Sequence, residues 1–459
     1  MYPEFFRNRI NLQEYVDAEA LLRALEEPSP VSIRTNTAKW NRKPSGSESV
    51  AWCKSGYYLD YRPSFTSDPL FHAGCYYPQE ASSMFIEEVF RQFAESRDYI
   101  RVLDLCGAPG GKSTHLSELI GSKGLLVANE VIISRAAVLS ENITKWGRGN
   151  TIVTCSDPSC FGKLEGYFDL IVVDAPCSGE GMFRDPQAVK QWSPENALHC
   201  SERQKRILKD VLPALKEDGI LIYSTCTFNP DENEKNVKWL ADRFQMECRE
   251  VDISEFKNIT KIDYQGITGY GFHPGKITGE GLFFSVLIKT GRQEQKAMKA
   301  VKNPFKRLTK DELSGAADWS HFPEENLVRS NNGIVSVAGN TSDFIILSRN
   351  LRIIKGGTKI CSVKNNVHIP SHELAISTGL KSSSFGYTAL DYDQAIAYLR
   401  RDNFTITGAP AGWQIVTYKG VNLGFINNIG KRINNYYPVD WRIRMKISAT
   451  AQEEIIWWK

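Results

Sequence analysis

Val102-Leu103-Asp104-Leu105-Cys106-Gly107-Ala108-Pro109-Gly110-Gly111-Lys112-Ser113-Thr114 is the stretch from which the fold of this chain is read. A short apolar run that breaks into a Gly/Pro turn and restarts as Lys-Ser-Thr has the form of a strand, a tight loop and a helix N-terminus in a doubly wound α/β sheet. Backbone N–H groups at such a junction favour an anionic ligand. Two familiar loops come close to it. A P-loop requires Gly, four residues, then Gly-Lys-Ser/Thr, and here Cys106 stands where the first Gly belongs. A dinucleotide fingerprint requires Gly-x-Gly-x-x-Gly, and no register of Gly107, Gly110 and Gly111 satisfies it. Alone, the loop suits a small nucleoside-like cofactor or a plain structural turn, and its neighbours have to decide.

From residue 101 onward, strand and helix alternate as a parallel sheet demands. The pattern predicts strands at 101–106, 124–129, 150–155, 168–174, 219–225 and 281–288, with helices near 112–121, 133–146, 195–216 and 231–244. Such sheets bind ligands in the crevice beyond the carboxyl ends of their strands. There the first strand delivers the Gly loop, the second Glu130 and the third Asp157. The fourth runs into Asp174-Ala175-Pro176-Cys177, and the fifth ends in Ser224-Thr225-Cys226. Glu130 lies 19 residues beyond Gly111, close to the spacing at which an acid grips a ribose diol. Asp157 suits the adenine end of the same ligand, although loop Asp residues also simply make turns. Lys112, in the first turn of a helix, opposes the macrodipole, and a bound carboxylate would balance it.

The runs Asp174 to Gly181 and Tyr223 to Asn233 carry the chemistry. A single free Cys is usually a buried small hydrophobe. Cys177 and Cys226 each come just past an apolar strand, at one crevice, with Asp174 beside them. Methylation of pyrimidine C5 uses this set. That carbon is a poor nucleophile, so a thiolate first adds to C6 and makes C5 able to attack an electrophilic methyl group. The C5 proton must then leave and the thiol be expelled. An acid that hydrogen-bonds N3 stabilises the addition product, and Asp174 is placed for that. A free thiol has a pKa of about 8.5, so the nucleophile belongs in an electropositive pocket.

Through Cys106 to Lys112, Asp174 to Arg184 and Ser224 to Glu234, the chain resembles the bacterial 16S rRNA cytosine-C5 methyltransferases of the RsmF type, within the wider NOL1/NOP2/Sun family. The resemblance covers about 70 to 290 most closely and implies a Rossmann-like α/β core dependent on S-adenosyl-L-methionine. It implies Cys226 as nucleophile, Cys177 assisting release and Asp174 orienting the base. Cys106, Gly107, Ala108, Pro109, Gly110, Gly111, Lys112, Glu130, Asp157 and Asp174 would line the cofactor, with no metal ion. Gly107 stands where the family often has Ala, a change expected to leave the loop intact. In DNA cytosine-C5 methyltransferases the Pro-Cys thiol is the nucleophile, so the Thr-Cys thiol marks the RNA branch. The implied partner is 16S rRNA or the 30S subunit, with the target base in a loop or flipped out of its helix. The same core also serves tRNA, and a catalytically idle RNA-binding ribosome-assembly factor would keep the same fold. The added C-terminal region favours rRNA, and an idle site has no need for two thiols.

At 459 residues the chain suggests about three domains. Its 42% hydrophobic and 24% charged residues are those of a globular protein. No apolar run approaches the ~18 residues of a membrane span, and Met1 to Phe6 lacks a charged leader before an apolar stretch, so a cytoplasmic chain is expected. The ten cysteines include no Cys-x-x-Cys pair and no His at zinc-ligand spacing, which predicts reduced thiols.

Residues 1–75 read as a small α+β module. An amphipathic helix carries Tyr15, Val16, Leu21, Leu22 and Leu25, and an alternating strand runs from Val31 to Asn36. Within that strand, Arg34 suits a phosphate contact or an ordinary surface charge. The catalytic domain is expected over 76–292, with Tyr76 to Met84 opening a helix, and the Lys-rich run Gln293 to Asn303 reads as a linker. A first C-terminal domain over 304–375 has expected strands at Val335–Val337 and Phe344–Leu347, and a PUA-like domain follows over 376–459. Residues 301–459 hold 20 Lys and Arg against 13 Asp and Glu, leaving 36 against 40 in the first 300. The last segment interleaves Trp413, Tyr418, Lys431-Arg432, Tyr436-Tyr437 and Trp441-Arg442-Ile443-Arg444. RNA stacking and phosphate pairing produce such a string, and core aromatics beside surface cations produce it equally.

Overall fold

Five parallel strands make the centre of the molecule. A computed structural model describes residues 2–291, 305, 308–330, 333–365, 367–406, 408–448 and 450–459, so the expected linker at 293–303 lies outside the described residues. In space the strands run Thr151–Thr154, Gly124–Asn129, Ile100–Asp104, Phe168–Asp174, Leu215–Thr225. Numbered along the chain this is 3-2-1-4-5, so the winding reverses at Ile100–Asp104 and the crevice opens past its carboxyl end. Leu282–Lys289 adds antiparallel to Leu215–Thr225 and carries the Thr260–Tyr264/Ile267–Phe272 hairpin. The strands are apolar throughout because both faces are covered: Val102, Leu126 and Val172 pack into one core, Leu103, Val127 and Ile171 into the other. The fifth strand begins at Leu215, four residues earlier than expected.

Around this core the corrections to the sequence reading have local causes. The N-terminal helix resolves into two, Glu4–Asn11 and Ala18–Ala24, because Asp17 caps the second by accepting Ala20 N at 3.0 Å, which leaves Tyr15 and Val16 in the connection. Tyr76–Pro78 is a strand beside Val31–Thr35, and helical structure begins only at Ser82. Phe344 to Leu347 lies in the helix Thr341–Asn350, not in a strand. Four apolar residues in a row fit either, and here Asn340 decides by accepting Asp343 N at 2.8 Å. Asp343 also accepts from Tyr99 at 3.0 Å, Arg101 at 2.9 Å and Tyr167 at 2.7 Å, which fastens this segment to the amino ends of the core strands. Ile353–Lys355 then pairs antiparallel with Thr151–Thr154 at the sheet edge.

The last sheet orders Gly386–Leu390, Gly412–Tyr418, Val421–Asn428 and Ile433–Asn435. Tyr418 and Tyr437 are buried in a core that also takes Ile33, Trp40 and Tyr76 from the N-terminal module, while Trp413 and Tyr436 pack on each other at 4.5 Å. Most of the aromatic string is therefore core, with Lys431, Arg432, Arg442 and Arg444 exposed around it. Among the described residues no helix is long and apolar enough to cross a membrane.

Arg34 is neither a phosphate contact nor a surface charge. It is fully buried, donates to Gln79 at 2.9 Å, Glu118 at 3.0 Å and Thr114 at 2.6 Å, and lies 4.3 Å from the Trp146 ring centroid. One guanidinium thus joins the N-terminal module to two helices of the core. Replacing it by Met takes from the Glu118 carboxylate its nearest cation and leaves it Thr37 at 2.9 Å and Arg148 at 3.9 Å, and a loss of about 3 kcal/mol is expected, seen as a lowered thermal unfolding midpoint. An unchanged midpoint in Arg34→Met would show that the two modules do not depend on it.

Candidate active site

The loop after Ile100–Asp104 turns on Gly110, whose φ of +122° strains any residue with a side chain, and the helix Gly111–Ile120 starts directly behind it. A cavity of about 250 Å³ opens there, lined by Cys106, Gly107, Ala108, Pro109, Gly111 and Lys112 together with Asp104 and Asp174. A Cβ on Gly107 would come within 2.6 Å of Ser113 Oγ, so Ala is not interchangeable with Gly in this loop unless Ser113 shifts. Ser113 is held because its hydroxyl donates to Asp104 at 2.6 Å. Asp104 itself is fully buried, its Oδ1 has no partner, and burial pushes its pKa up to about 7. A buried carboxylate oxygen left open beside a cavity suits an incoming ammonium group, such as that of a bound amino acid moiety.

Glu130 is not in the lining of this cavity but follows the strand end to which the loop is bonded. Gly107 N donates to Asn129 O at 2.7 Å, which draws the end of the Gly124–Asn129 strand against the loop. The Glu130 carboxylate accepts Ile132 N at 3.0 Å and lies 3.3 Å from Arg135, which donates to Ala108 O at 3.0 Å. Asp157 is not in the lining. Its carboxylate caps the helix Pro158–Phe161 through Ser159 N at 3.0 Å and lies 3.5 Å from Arg206, the turn-making use of a loop Asp. Lys112 finds its balancing anion within the protein, since Nζ donates to Asp174 at 2.9 Å and to Ser83 at 3.3 Å. Burial opposes its charge, but Asp174, Asp104 and Cys226 outweigh burial and raise its pKa.

Asp174 and Ser224 are register partners on adjacent strands, and Ser224 Oγ donates to Asp174 Oδ1 at 2.6 Å. Cys177 follows three residues after that pair and Cys226 two, and their sulfurs meet at 3.1 Å. The hydrogen bond to Cys226 and then burial push the Cys177 thiol well above the usual range, so Cys177 keeps its proton. Both thiols remain partly exposed.

Three supports of this pair have no spacing signal in the sequence. Glu232 accepts Ser178 N at 2.9 Å and Gln204 at 3.0 Å, and so pins the loop that carries Cys177. Glu180 accepts Arg9 at 2.6 Å, Trp192 at 3.0 Å and Phe228 N at 3.2 Å, which ties the first helix of the chain to the residue two past Cys226. Gly181 N donates to Cys226 O at 2.9 Å, and a Cβ there would come within 2.5 Å of Gly281 O, so only glycine lets the loops close on each other.

The raised pKa of Asp104 has a signed consequence. Its folded value of about 7 lies above the ordinary 3.8, so the group's stabilising contribution is full at low pH and is lost as pH rises through 7. Asp104→Asn should therefore raise the unfolding midpoint of the ligand-free protein at pH 8, leave it unchanged at pH 3, and weaken cofactor binding at pH 8, where the wild-type carboxyl is ionised. A midpoint that fell at pH 8 would contradict this account of the open oxygen.

The chain has close counterparts over its whole length. The "Ribosomal RNA small subunit methyltransferase F" of Klebsiella pneumoniae is 30% identical over 478 residues, covering 95% of this chain and 96% of its own. That of Shewanella woodyi is 32% identical over 463 residues, covering 94% of each. Three family descriptions match in succession: the N-terminal domain of 16S rRNA methyltransferase RsmF at 2–81, 16S rRNA methyltransferase RsmB/F at 93–288 and the methyltransferase RsmF PUA domain at 387–443. A crystal structure of a methyltransferase homolog protein from Pyrococcus horikoshii superposes with a TM-score of 0.52 at 28% identity, over 63% of this chain and 95% of that one. With its α/β core, its N-terminal antiparallel module and its PUA domain, the chain belongs to the RsmF-type 16S rRNA methyltransferases of the RsmB/F family, enzymes dependent on S-adenosylmethionine.

Proposed function

We propose that the protein methylates C5 of a cytidine in 16S rRNA by way of a covalent bond between Cys226 Sγ and C6 of the base. The observation that carries this reading is the 3.1 Å approach of two thiols beside the Lys112–Asp174 pair. A structural cysteine needs neither a second sulfur nor a lysine. In this reading Asp104 Oδ1 takes the ammonium of the cofactor's amino acid moiety, Cys106 to Gly111 cradle it with Lys112 and Asp174 alongside, and Glu130 takes the ribose hydroxyls. Asp157, engaged with Ser159 and Arg206, remains a cap. The bound cofactor supplies an electrophilic methyl group.

The protein's own groups do the rest. Cys226 enters as the thiolate, its electron pair forms the Sγ–C6 bond, and the C5=C6 π pair moves onto C5 and toward N3. Asp174, fixed by Ser224 and Lys112, delivers a proton to N3 as the pair arrives there and then accepts the N3–H hydrogen bond, which stabilises the adduct. The Lys112 ammonium, kept charged by Asp174, Asp104 and Cys226, is the cation that faces the reacting groups. When water takes up the C5 proton, its bonding pair restores C5=C6, the Sγ–C6 bond breaks with Cys226 leaving as thiolate, and N3 returns its proton to Asp174. Cys177, with its sulfur against that of Cys226, assists this cleavage. C5 of a paired cytidine lies in the narrow major groove of A-form RNA, so the target is an unpaired or flipped base.

Cys177→Ala should stall at elimination. Incubated with S-adenosylmethionine and either naked 16S rRNA or 30S subunits, it should give a slow, RNase-sensitive band on a denaturing gel, absent from the Cys177→Ala/Cys226→Ala double variant. Cys226→Ser should lower methyl transfer by roughly 10⁴-fold or more. Transfer that survived Cys226→Ser, or a band that formed with tRNA alone, would overturn this reading.

A further inference from the structure

A second cavity, of about 230 Å³, shares no lining residue with the cavity beside the Gly loop, yet Thr227 and Phe228, the two residues after Cys226, form part of its wall. Its other walls come from the connection between the two N-terminal helices, the start of the helix Glu234–Phe244 and the three antiparallel strands at that end of the sheet. Most of the lining is apolar, with Val16, Ile262, Tyr264, Leu282 and Phe283 joining Phe228.

The polar groups of the lining are mostly committed. Gln13 donates to Phe228 O at 2.8 Å, and Asn233 accepts from Thr225 at 2.5 Å and donates to Thr227 O at 2.9 Å. Glu234 is the exception. It is 7% exposed, and its Oε2 has no hydrogen-bond partner. His273 is also buried, with its ring 5.7 Å from that of Phe228, and burial lowers its pKa to about 4, so it is neutral. A carboxylate oxygen taken out of water with nothing to accept is costly. The cost falls away when a donor enters the cavity.

The chemistry of that donor is narrow. Burial pushes the Glu234 pKa up to about 7, and the apolar walls hold nothing to balance a phosphate, so the anionic part of any nucleotide stays outside. Aromatic and aliphatic walls on a space of this size fit a flat ring, and an open acceptor asks for an N–H edge on that ring. We propose that this cavity takes a single nucleobase, its ring among Phe228, Tyr264 and Phe283 and its N–H or NH₂ edge on Glu234 Oε2. The base is one unstacked from the RNA near the target cytidine, a source that rests on the reading of the substrate as RNA. A free nucleoside carries the same chemistry and is the other source.

The test uses the full-length protein with two variants outside the reacting groups. Val16→Trp fills the cavity, and Glu234→Leu removes the acceptor together with a buried carboxyl that has no partner on Oε2. KM for 16S rRNA should rise about 10-fold in each, the effect of losing one stacked and paired base, with kcat and the KM for S-adenosylmethionine unchanged. The unfolding midpoint of Glu234→Leu should not fall, whereas a merely structural Glu234 would lower it and leave the RNA KM alone. Ultraviolet crosslinking of the rRNA complex should place a nucleotide adduct on Tyr264 or Phe228, lost in Val16→Trp. In a separate arm, adenosine, guanosine, cytidine and uridine at millimolar concentration are titrated by NMR. Binding that Val16→Trp abolishes while the RNA KM stays fixed would keep the nucleobase site and assign it to a free nucleoside. No KM change, no adduct and no nucleoside binding would overturn the inference with the functional reading intact. A wild-type protein unable to methylate rRNA would instead remove the functional reading, and the nucleoside arm would still decide the cavity.

Discussion

The ion pair between Lys112 and Asp174 is the constraint on which the site depends. Lys112 belongs to the helix that starts behind the Gly loop, and Asp174 ends a strand that the chain reaches only 62 residues later. Joining them fixes the distance between the cavity at the Gly loop and the two thiols. The pair is buried on the lysine side, with 12% of that side chain exposed against 35% for Asp174, so desolvation falls mainly on the cation. Asp174 is then held from both sides, by Lys112 on one oxygen and Ser224 on the other. A carboxylate gripped in this way keeps its orientation without help from a ligand, which is what preorganisation at a developing charge requires.

The second feature is the distance from which the thiol loops are braced. Arg9 and Gln13, at the start of the chain, both donate to Phe228 O, and Arg9 also reaches Glu180. The C-terminal domain closes the molecule from the other direction: Lys459 N donates to Lys43 O at 2.9 Å, and Trp458 packs edge-on against Trp40. Arg9 and Gln13 near one end and Trp458 and Lys459 at the other thus lie in one continuous structure with the module that supports the site. A substitution in either terminal region reaches the chemistry through the geometry of these loops.

What could be read from the sequence was whatever rests on local period or on strand ends. The six core strands announce themselves as apolar runs because they are buried on both faces, and Cys177, Asp174 and Cys226 are found by listing what those strands deliver to one crevice. Groups whose role is set by partners far along the chain could not be read this way. Arg34 looks like a surface charge on an alternating strand until Glu118, Thr114 and Trp146 surround it. Lys112 invites a ligand carboxylate until Asp174 turns out to be its anion. Phe344 to Leu347 defeats periodicity because four apolar residues carry no period, and only the Asn340 cap separates helix from strand. Glu234 looks like one more acid at a helix start, where charge is favourable, and nothing local says that it is buried in the wall of a cavity with Phe228 and Tyr15.

The antiparallel pairing of Ile353–Lys355 with Thr151–Thr154 bears on how the protein can be taken apart. Without it, the outermost parallel strand would present a row of free N–H and C=O groups, a template on which another chain can add. The region after the catalytic domain therefore works as an intramolecular stopper as well as a carrier of the PUA fold. A version trimmed to residues 93–288 would keep Lys112, Asp174 and both thiols and still be prone to stick to itself. For the same reason, exchanging the C-terminal half between relatives requires that the three residues at 353–355 travel with the sheet they close.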